Sequence, residues 1–295
     1  MPTSLADNIL KVEMLYHKGQ KNIWDGKQYL EECISRHGDP KLASYDKKAL
    51  TNIFSIILLG ELAAWKISSA IAITTESDQV RMAATSQAHD EARHFYVMRD
   101  YLSMLGPIPD KIEENADSFL ESVLDASTEA KMILGMQLMV EPMALTLFKV
   151  VREKNIDPVL SDLLSMFEKD EARHVALGTM YLPKLLSEMS NMQKADLLVW
   201  QFFGYMKQFK MLKALEEDFA TLGIPVRDIF LMARKKQVLA MELLSEEMGE
   251  KYPLMDLMLK VIDFRNEISF PPEPNASLVN KLKRAIIATQ PEKEG

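Results

Sequence analysis

An all-α fold with a helical bundle at its centre is what this sequence predicts, and three observations predict it. No stretch alternates apolar and polar residues with period two, so no strand is expected. Long apolar runs are separated by proline, glycine and capping clusters. Third, the chain repeats itself. Asp-Glu-Ala-Arg-His stands at 90–94 and again at 170–174, an offset of 80. Each copy is preceded, 30 residues before its Glu, by a lone acid in an apolar run, Glu61 and Glu141.

The elements follow in order. Residues 5–37 read as one or two amphipathic helices carrying Leu10, Met14, Tyr16, Trp24 and Tyr29, ended by His37-Gly38-Asp39-Pro40. The first bundle helix runs from about Asp46 to Thr75. The second runs from about Asp78 to Leu105, stopped by Gly106-Pro107. Residues 110–126 form an acidic connection with room for a short helix, carrying the chain back across the bundle. The third helix runs from about Ser127 to Glu153 and contains Pro142 immediately after Glu141. Proline removes the bond to residue 138, so a kink or π-bulge is expected beside Glu141. The fourth runs from Asp157 to about Leu182, with Pro183 bending or ending it. One long helix follows from about Asn191 to Leu222, closed by Gly223 and Pro225. Helices at about 226–248 and 254–265, an extended loop at 270–274 and a short helix from Ser277 to Thr289 complete the chain. No Gly/Pro/Ser-rich linker divides it. One domain over 1–295 is expected, with a core at about 45–190 and accessory helices at 5–37 and 191–289.

The repeated spacing points to metal chemistry. Glu91 and His94 are three residues apart, as are Glu171 and His174, so each pair shares a helix face and can grip one ion. The midpoint of 61 and 91 falls in Thr75-Glu76-Ser77-Asp78, and that of 141 and 171 in Asn155-Ile156-Asp157-Pro158, both turn or cap signals. Two antiparallel hairpins then bring Glu61 opposite Glu91 and Glu141 opposite Glu171. Packed together, they place four glutamates and two histidines in one layer of a four-helix bundle, the ligand set of a dinuclear carboxylate site. A surface salt-bridge repeat is the alternative. It fits poorly with Glu61 and Glu141, which sit among Ile57, Leu58, Ala64, Trp65, Leu138 and Leu145. An unpaired buried carboxylate is costly, and metal ions compensate it.

Glu-x28-Asp-Glu-x-Arg-His, present twice, resembles the ferritin-like non-haem di-iron carboxylate oxidases and oxygenases over residues 45–190. The resemblance implies a ferritin-like four-helix bundle with additional N- and C-terminal helices. It implies two iron ions, Fe/Fe or Mn/Fe, held by Glu61, Glu91, His94, Glu141, Glu171 and His174. In several relatives the Asp before each helical Glu bonds the other helix's histidine, which would pair Asp90 with His174 and Asp170 with His94. Arg93 and Arg173 would neutralise those aspartates, or else lie on the surface. Trp65, Met98, Tyr101, Leu145, Phe167, Gly178 and Tyr181 are pocket candidates, with packing as their alternative role. Gly178, one turn after His174, leaves space where the first repeat has Met98.

No subfamily matches cleanly. Met98 stands where the radical tyrosine of the ribonucleotide reductase small subunit is expected. Phe167 stands where arylamine N-oxygenases carry an extra histidine, and Leu145 where many hydroxylases carry threonine. The expected function is an O₂-activating di-iron oxidoreductase that hydroxylates, desaturates or N-oxygenates a small organic substrate. The alternatives are a Mn/Fe ligand-binding oxidase, a protein like the ribonucleotide reductase small subunit, and a ferroxidase or iron-storage protein.

Composition bounds the partners. The 295 residues are 47% hydrophobic and 26% charged, enough for a sizeable core. A net charge of −8 with no basic run disfavours nucleic acid and anionic membranes. Cys33 is the single cysteine, which excludes an iron–sulfur module or disulfide framework, so electrons would come from a separate donor protein or reductant. Met-Pro-Thr-Ser-Leu-Ala-Asp is no signal peptide, and Glu61 and Lys66 interrupt the most apolar run. A cytoplasmic protein without a membrane span is expected, with monomer and homodimer both open.

Overall fold

The computed structural model describes residues 5–248, 253–273 and 275–290, and among them there is no strand. Helices α1 (Leu5–Lys21) and α2 (Gly26–His37) precede α3 (Ser44–Thr74) and α4 (Asp78–Leu105). A short α5 (Glu114–Leu124) bridges to α6 (Glu129–Gly135), a π-turn (Met136–Val140), α7 (Glu141–Lys154) and α8 (Pro158–Ser187). Then come α9 (Asn191–Ala214), α10 (Glu216–Thr221), α11 (Val226–Met248), α12 (Pro253–Ser269) and α13 (Leu278–Ala288).

The two hairpins form as the spacing predicts. Ser77 caps α4 by accepting from Val80 N, and Asp157 caps α8 by accepting from Leu160 N at 2.9 Å. Each cap satisfies one of the amides a helix start leaves free. Helices α3 and α4 pack along their lengths, as do α7 and α8, while α1 and α2 cover the α4–α8 seam. Large fully buried side chains, among them Phe54, Met98, Phe148 and Phe167, fill the bundle.

The structure departs from expectation in four places. Helix α8 continues through Pro183 to Ser187, because Leu182 and Leu186 on either side are both buried and hold the last turn to the core. The long helix after Asn191 breaks at Leu215 into α9 and α10. Helix α12 extends to Ser269, four residues beyond the expected end. Finally, Ser44–Thr74 and Glu129–Lys154 are long and apolar enough to cross a membrane, since one acid and one lysine do not offset so apolar a run. Both runs belong to the bundle, and Glu61 and Glu141 sit within them, buried.

Candidate metal centre

Glu61 on α3, Glu91 and His94 on α4, Glu141 at the start of α7, and Glu171 and His174 on α8 meet in one layer. None is more than 4% exposed. Their ligand atoms form two overlapping groups, Glu61–Glu91–His94–Glu171 and Glu91–Glu141–Glu171–His174, each with all atoms within 4.8 Å of one another. Glu91 and Glu171 belong to both groups, so these two carboxylates would be within reach of both ions of a pair. Nδ1 of each imidazole faces inward. That of His94 lies 3.1 Å from Glu171 and 3.3 Å from Glu61, and that of His174 lies 2.9 Å from Glu91.

The outward nitrogens meet the crossed aspartates. His94 Nε2 lies 3.1 Å from Asp170, and His174 Nε2 lies 3.4 Å from Asp90. A carboxylate there accepts a hydrogen bond from Nε2–H and leaves the Nδ1 lone pair turned inward. Arg93 donates to Asp90 at 2.5 Å and to Asp170 at 2.9 Å, and Arg173 contacts both aspartates at 2.8 Å. Both arginines are buried, not on the surface. The four side chains form a compact, charge-balanced quartet behind the histidines.

The electrostatics follow from six ionisable groups in a small buried volume. Burial, and then Glu171, pushes Glu61 and Glu141 well above the usual carboxylate range. Burial pushes Glu91 up as well, but the imidazoles of His174 and His94 outweigh it and hold it well below. Burial disfavours charge on His94 and His174, yet the surrounding carboxylates raise both well above the ordinary value. Asp90 and Asp170 are lowered, because hydrogen bonds from the histidines and the arginine charge overcome burial. Two buried oxygens, Glu91 Oε2 and Glu171 Oε1, make no well-formed hydrogen bond and lie 3.4 and 3.1 Å from His94 Nδ1. Such orphans are unfavourable unless something else satisfies them. Carboxylate oxygens and imidazole nitrogens converging with two oxygens left over fit a pair of iron- or manganese-like ions.

The expected irregularity lies beside Glu141. Residues 136–140 form a π-turn in which Glu141 N bonds Met136 O, consistent with Pro142 having no N–H for Leu138. The Gln208 side chain of α9 donates to the Met139 carbonyl at 3.1 Å.

Four residues that no spacing argument singled out complete the site. Gln87, one turn before Glu91, donates to Glu91 at 3.1 Å and to Glu141 at 3.0 Å. Gln137, within the π-turn, donates to Gln87 at 3.1 Å. Trp24 Nε1 donates to Asp170 at 2.8 Å, with Arg93 over its ring. Gln208 is the fourth. A polar residue at i−4 on the ligand face was the available signal for Gln87; Trp24 lies between α1 and α2, where no spacing points to it.

An apolar cavity of about 70 Å³ adjoins the layer. It opens beside Glu61 and Glu141 and is walled by Ile57, Phe119, Leu147 and Met211. The expected pocket residues lie elsewhere. Phe167 stacks on His94 with ring centroids 4.1 Å apart. Met98 is buried, Trp65 is 39% exposed, and Leu145 is half-buried outside the cavity while Ala144 and Leu147 line it. A Cβ on Gly178 would stand 2.7 Å from Gln137 and 3.0 Å from Leu138, so that glycine lets α8 press against the π-turn and opens no space. Tyr101 donates to Asp157 at 3.2 Å, and Tyr181 contacts Glu129 at 3.1 Å and Thr75 at 3.3 Å. Each tyrosine thus ties one hairpin to the turn of the other.

The sequence matches no known family model and no curated protein. Its fold is similar to that of solved proteins. One is a point mutant of an R2-like ligand-binding oxidase with aerobically reconstituted Mn/Fe cofactor, at 17% identity and a TM-score of 0.62 over 79% of this chain and 93% of that one. Another mutant of that oxidase carries a reconstituted Fe/Fe cofactor, at 15% identity and a TM-score of 0.61 over 79% and 92%. A Synechococcus protein with aldehyde deformylating oxidase activity aligns at 16% identity and a TM-score of 0.58, over 74% of this chain and 97% of that one. This chain therefore has the ferritin-like helical fold of the di-iron carboxylate proteins, with a buried carboxylate and histidine cluster that fits a metal pair.

Proposed function

We propose that this chain is an O₂-activating dinuclear non-haem iron oxidoreductase acting on a small, apolar organic molecule. The observation that carries the reading is the pair of overlapping carboxylate and imidazole groups beside an apolar cavity. Glu61, Glu91 and His94 would hold one ion, and Glu141, Glu171 and His174 the other, with Glu91 and Glu171 reaching both. A bound redox-active pair would supply the reduction of O₂ by a separate electron donor. The protein's own part is geometric. Asp90 and Asp170 hold the Nε2 protons and aim Nδ1 inward, Gln87 steadies Glu91 and Glu141, and the apolar wall keeps water from the reacting volume. Hydroxylation, desaturation and N-oxygenation are the reactions such a site serves, in a cytoplasmic setting where a donor protein is at hand.

The second reading is a Mn/Fe centre, favoured by the Mn/Fe cofactor of a structural neighbour and by a donor set that distinguishes the two metals weakly. Iron storage is the third. Loading the reduced protein with excess ferrous iron under O₂ separates these. Retention of about two ions per chain with continued O₂ uptake in the presence of reductant is expected. Soluble uptake of many ions per chain would replace the proposal with storage, and metal analysis after loading with both metals assigns Fe/Fe or Mn/Fe.

A further inference from the structure

Glycine inside a helix is unfavourable relative to alanine, so its presence calls for a cause. In this bundle the cause is usually close packing. A Cβ on Gly135 would stand 2.7 Å from Trp200, one on Gly204 would stand 2.6 Å from Met139, and Gly178 is likewise crowded. Gly60 is different. It lies in the middle of α3 with ordinary helical backbone, and a Cβ built on it meets nothing within 4 Å. Among the described residues it is the one glycine inside a helix for which packing gives no reason. It lines the apolar cavity, immediately before Glu61.

The α3 wall of that cavity is one helical face. Ile53, Ile57, Gly60 and Ala64 follow one another at spacings of three or four residues, and Glu61 is the polar group beside the two smallest. Among the described residues no lysine, arginine or histidine lines the cavity, so none of them offers a charged ligand a side-chain cation there. Phe167, stacked on His94, is not part of the cavity wall.

We propose that Gly60 is the specificity-determining position of this site: its missing side chain keeps open the volume beside Glu61 in which the apolar carbon of an uncharged substrate is placed. The substrate role rests on the oxidoreductase reading above, whereas the binding volume does not. Adding a methyl group at residue 60 trims the volume without touching a neighbour, and adding a leucine side chain fills it.

The test uses the metal-loaded, full-length chain and two probes, xenon in pressurised crystals and 1-octanol in solution. Xenon is expected beside Gly60 in the parent protein, weaker in Gly60→Ala and gone in Gly60→Leu. Affinity for 1-octanol is expected to fall at least tenfold in Gly60→Leu, with two ions per chain retained in both variants. Gly60→Ala decides the matter if the leucine variant does not fold, because its added methyl group has free space. Its melting temperature should rise, as for any helical glycine replaced where alanine fits. Unchanged xenon density and octanol affinity would overturn the proposal. So would loss of metal from Gly60→Ala, which would show that the glycine serves the backbone at Glu61. A protein that binds both probes as expected but consumes no O₂ refutes the oxidoreductase reading and leaves the cavity assignment standing.

Discussion

Asp170 stands 3.1 Å from Nε2 of His94, although the two belong to opposite copies of the repeated motif. It also accepts from Trp24 at 2.8 Å and from Arg93 at 2.9 Å, and contacts Arg173 at 2.8 Å. Asp170→Asn removes the charge that balances these groups in a buried setting. Such uncompensated charge costs about 3–5 kcal/mol, and loss of a histidine's outer partner weakens metal binding about 10–100-fold. Urea unfolding of the metal-free variant and chelator competition of the loaded one measure the two effects. If both match the parent protein, Asp170 has no positioning role.

The assignment of Glu141 makes a simpler demand. Glu141→Ala should lose at least one of the two ions, because the π-turn aims this carboxylate at the His174 side of the layer. Plasma emission spectrometry of the reconstituted variant gives the answer, and full retention of both ions would sink the ligand set.

Pro142 accounts for the π-turn. Pro142→Ala restores an N–H within bonding reach of Leu138 O and favours a regular α-helical path. The expected outcome is a straightened 136–140 segment, a displaced Glu141 and weaker binding of one ion. A crystal structure of the variant with the π-turn intact would show that tertiary packing, including the Gln208 bond to Met139 O, holds it without the proline.

The metal-free protein should depend on pH in a set direction. The carboxylates around His94 and His174 outweigh burial and raise both above their ordinary value of 6.5. The folded state then binds these protons more tightly than the unfolded state. The stabilisation is complete below about pH 6.5 and is lost as pH rises through the folded values. Glu61 and Glu141, raised by burial, act with the same sign from a lower starting point. Asp90 and Asp170, lowered, add stability above their ordinary 3.8 that is lost on acidification. The melting temperature of the metal-free chain should therefore fall as pH rises above about 6.5 and flatten once ions replace the protons. A constant or rising melting temperature above that pH in metal-free protein would contradict the buried-imidazolium picture.

What was legible in the sequence was what repeats. Two copies of a five-residue motif and two isolated glutamates place six side chains, and helix caps at Ser77 and Asp157 place the two turns. Pro142 marks the π-turn because one missing N–H has a local effect. The cavity was not legible, because it is made by α5, α9, α10 and α11 closing over α3 and α7, and no local spacing encodes where separate helices meet. Gly178 misled for the same reason: whether a missing Cβ leaves space or admits a neighbour depends on what packs against it. Pro183 and Leu215 run against local expectation, since buried leucines carry α8 past a proline while the run after Asn191, with no proline inside it, breaks between α9 and α10.

The crossed pairing of Asp90 with His174 and Asp170 with His94 has a consequence for how such a chain can vary. Neither half is self-sufficient, so half a chain would need a twin to rebuild the quartet. In a pair of identical twins, rotational symmetry would force the two flanks of the site to match. Joining the halves in one polypeptide lifts that rule. Gln87 in one half corresponds to Phe167 in the other, and Met98 to Gly178. One flank thus holds an amide that steadies two carboxylates, and the other a ring stacked on an imidazole. Fusion lets one histidine's surroundings be sculpted without copying the change to the other, and so gives a twofold frame a front and a back.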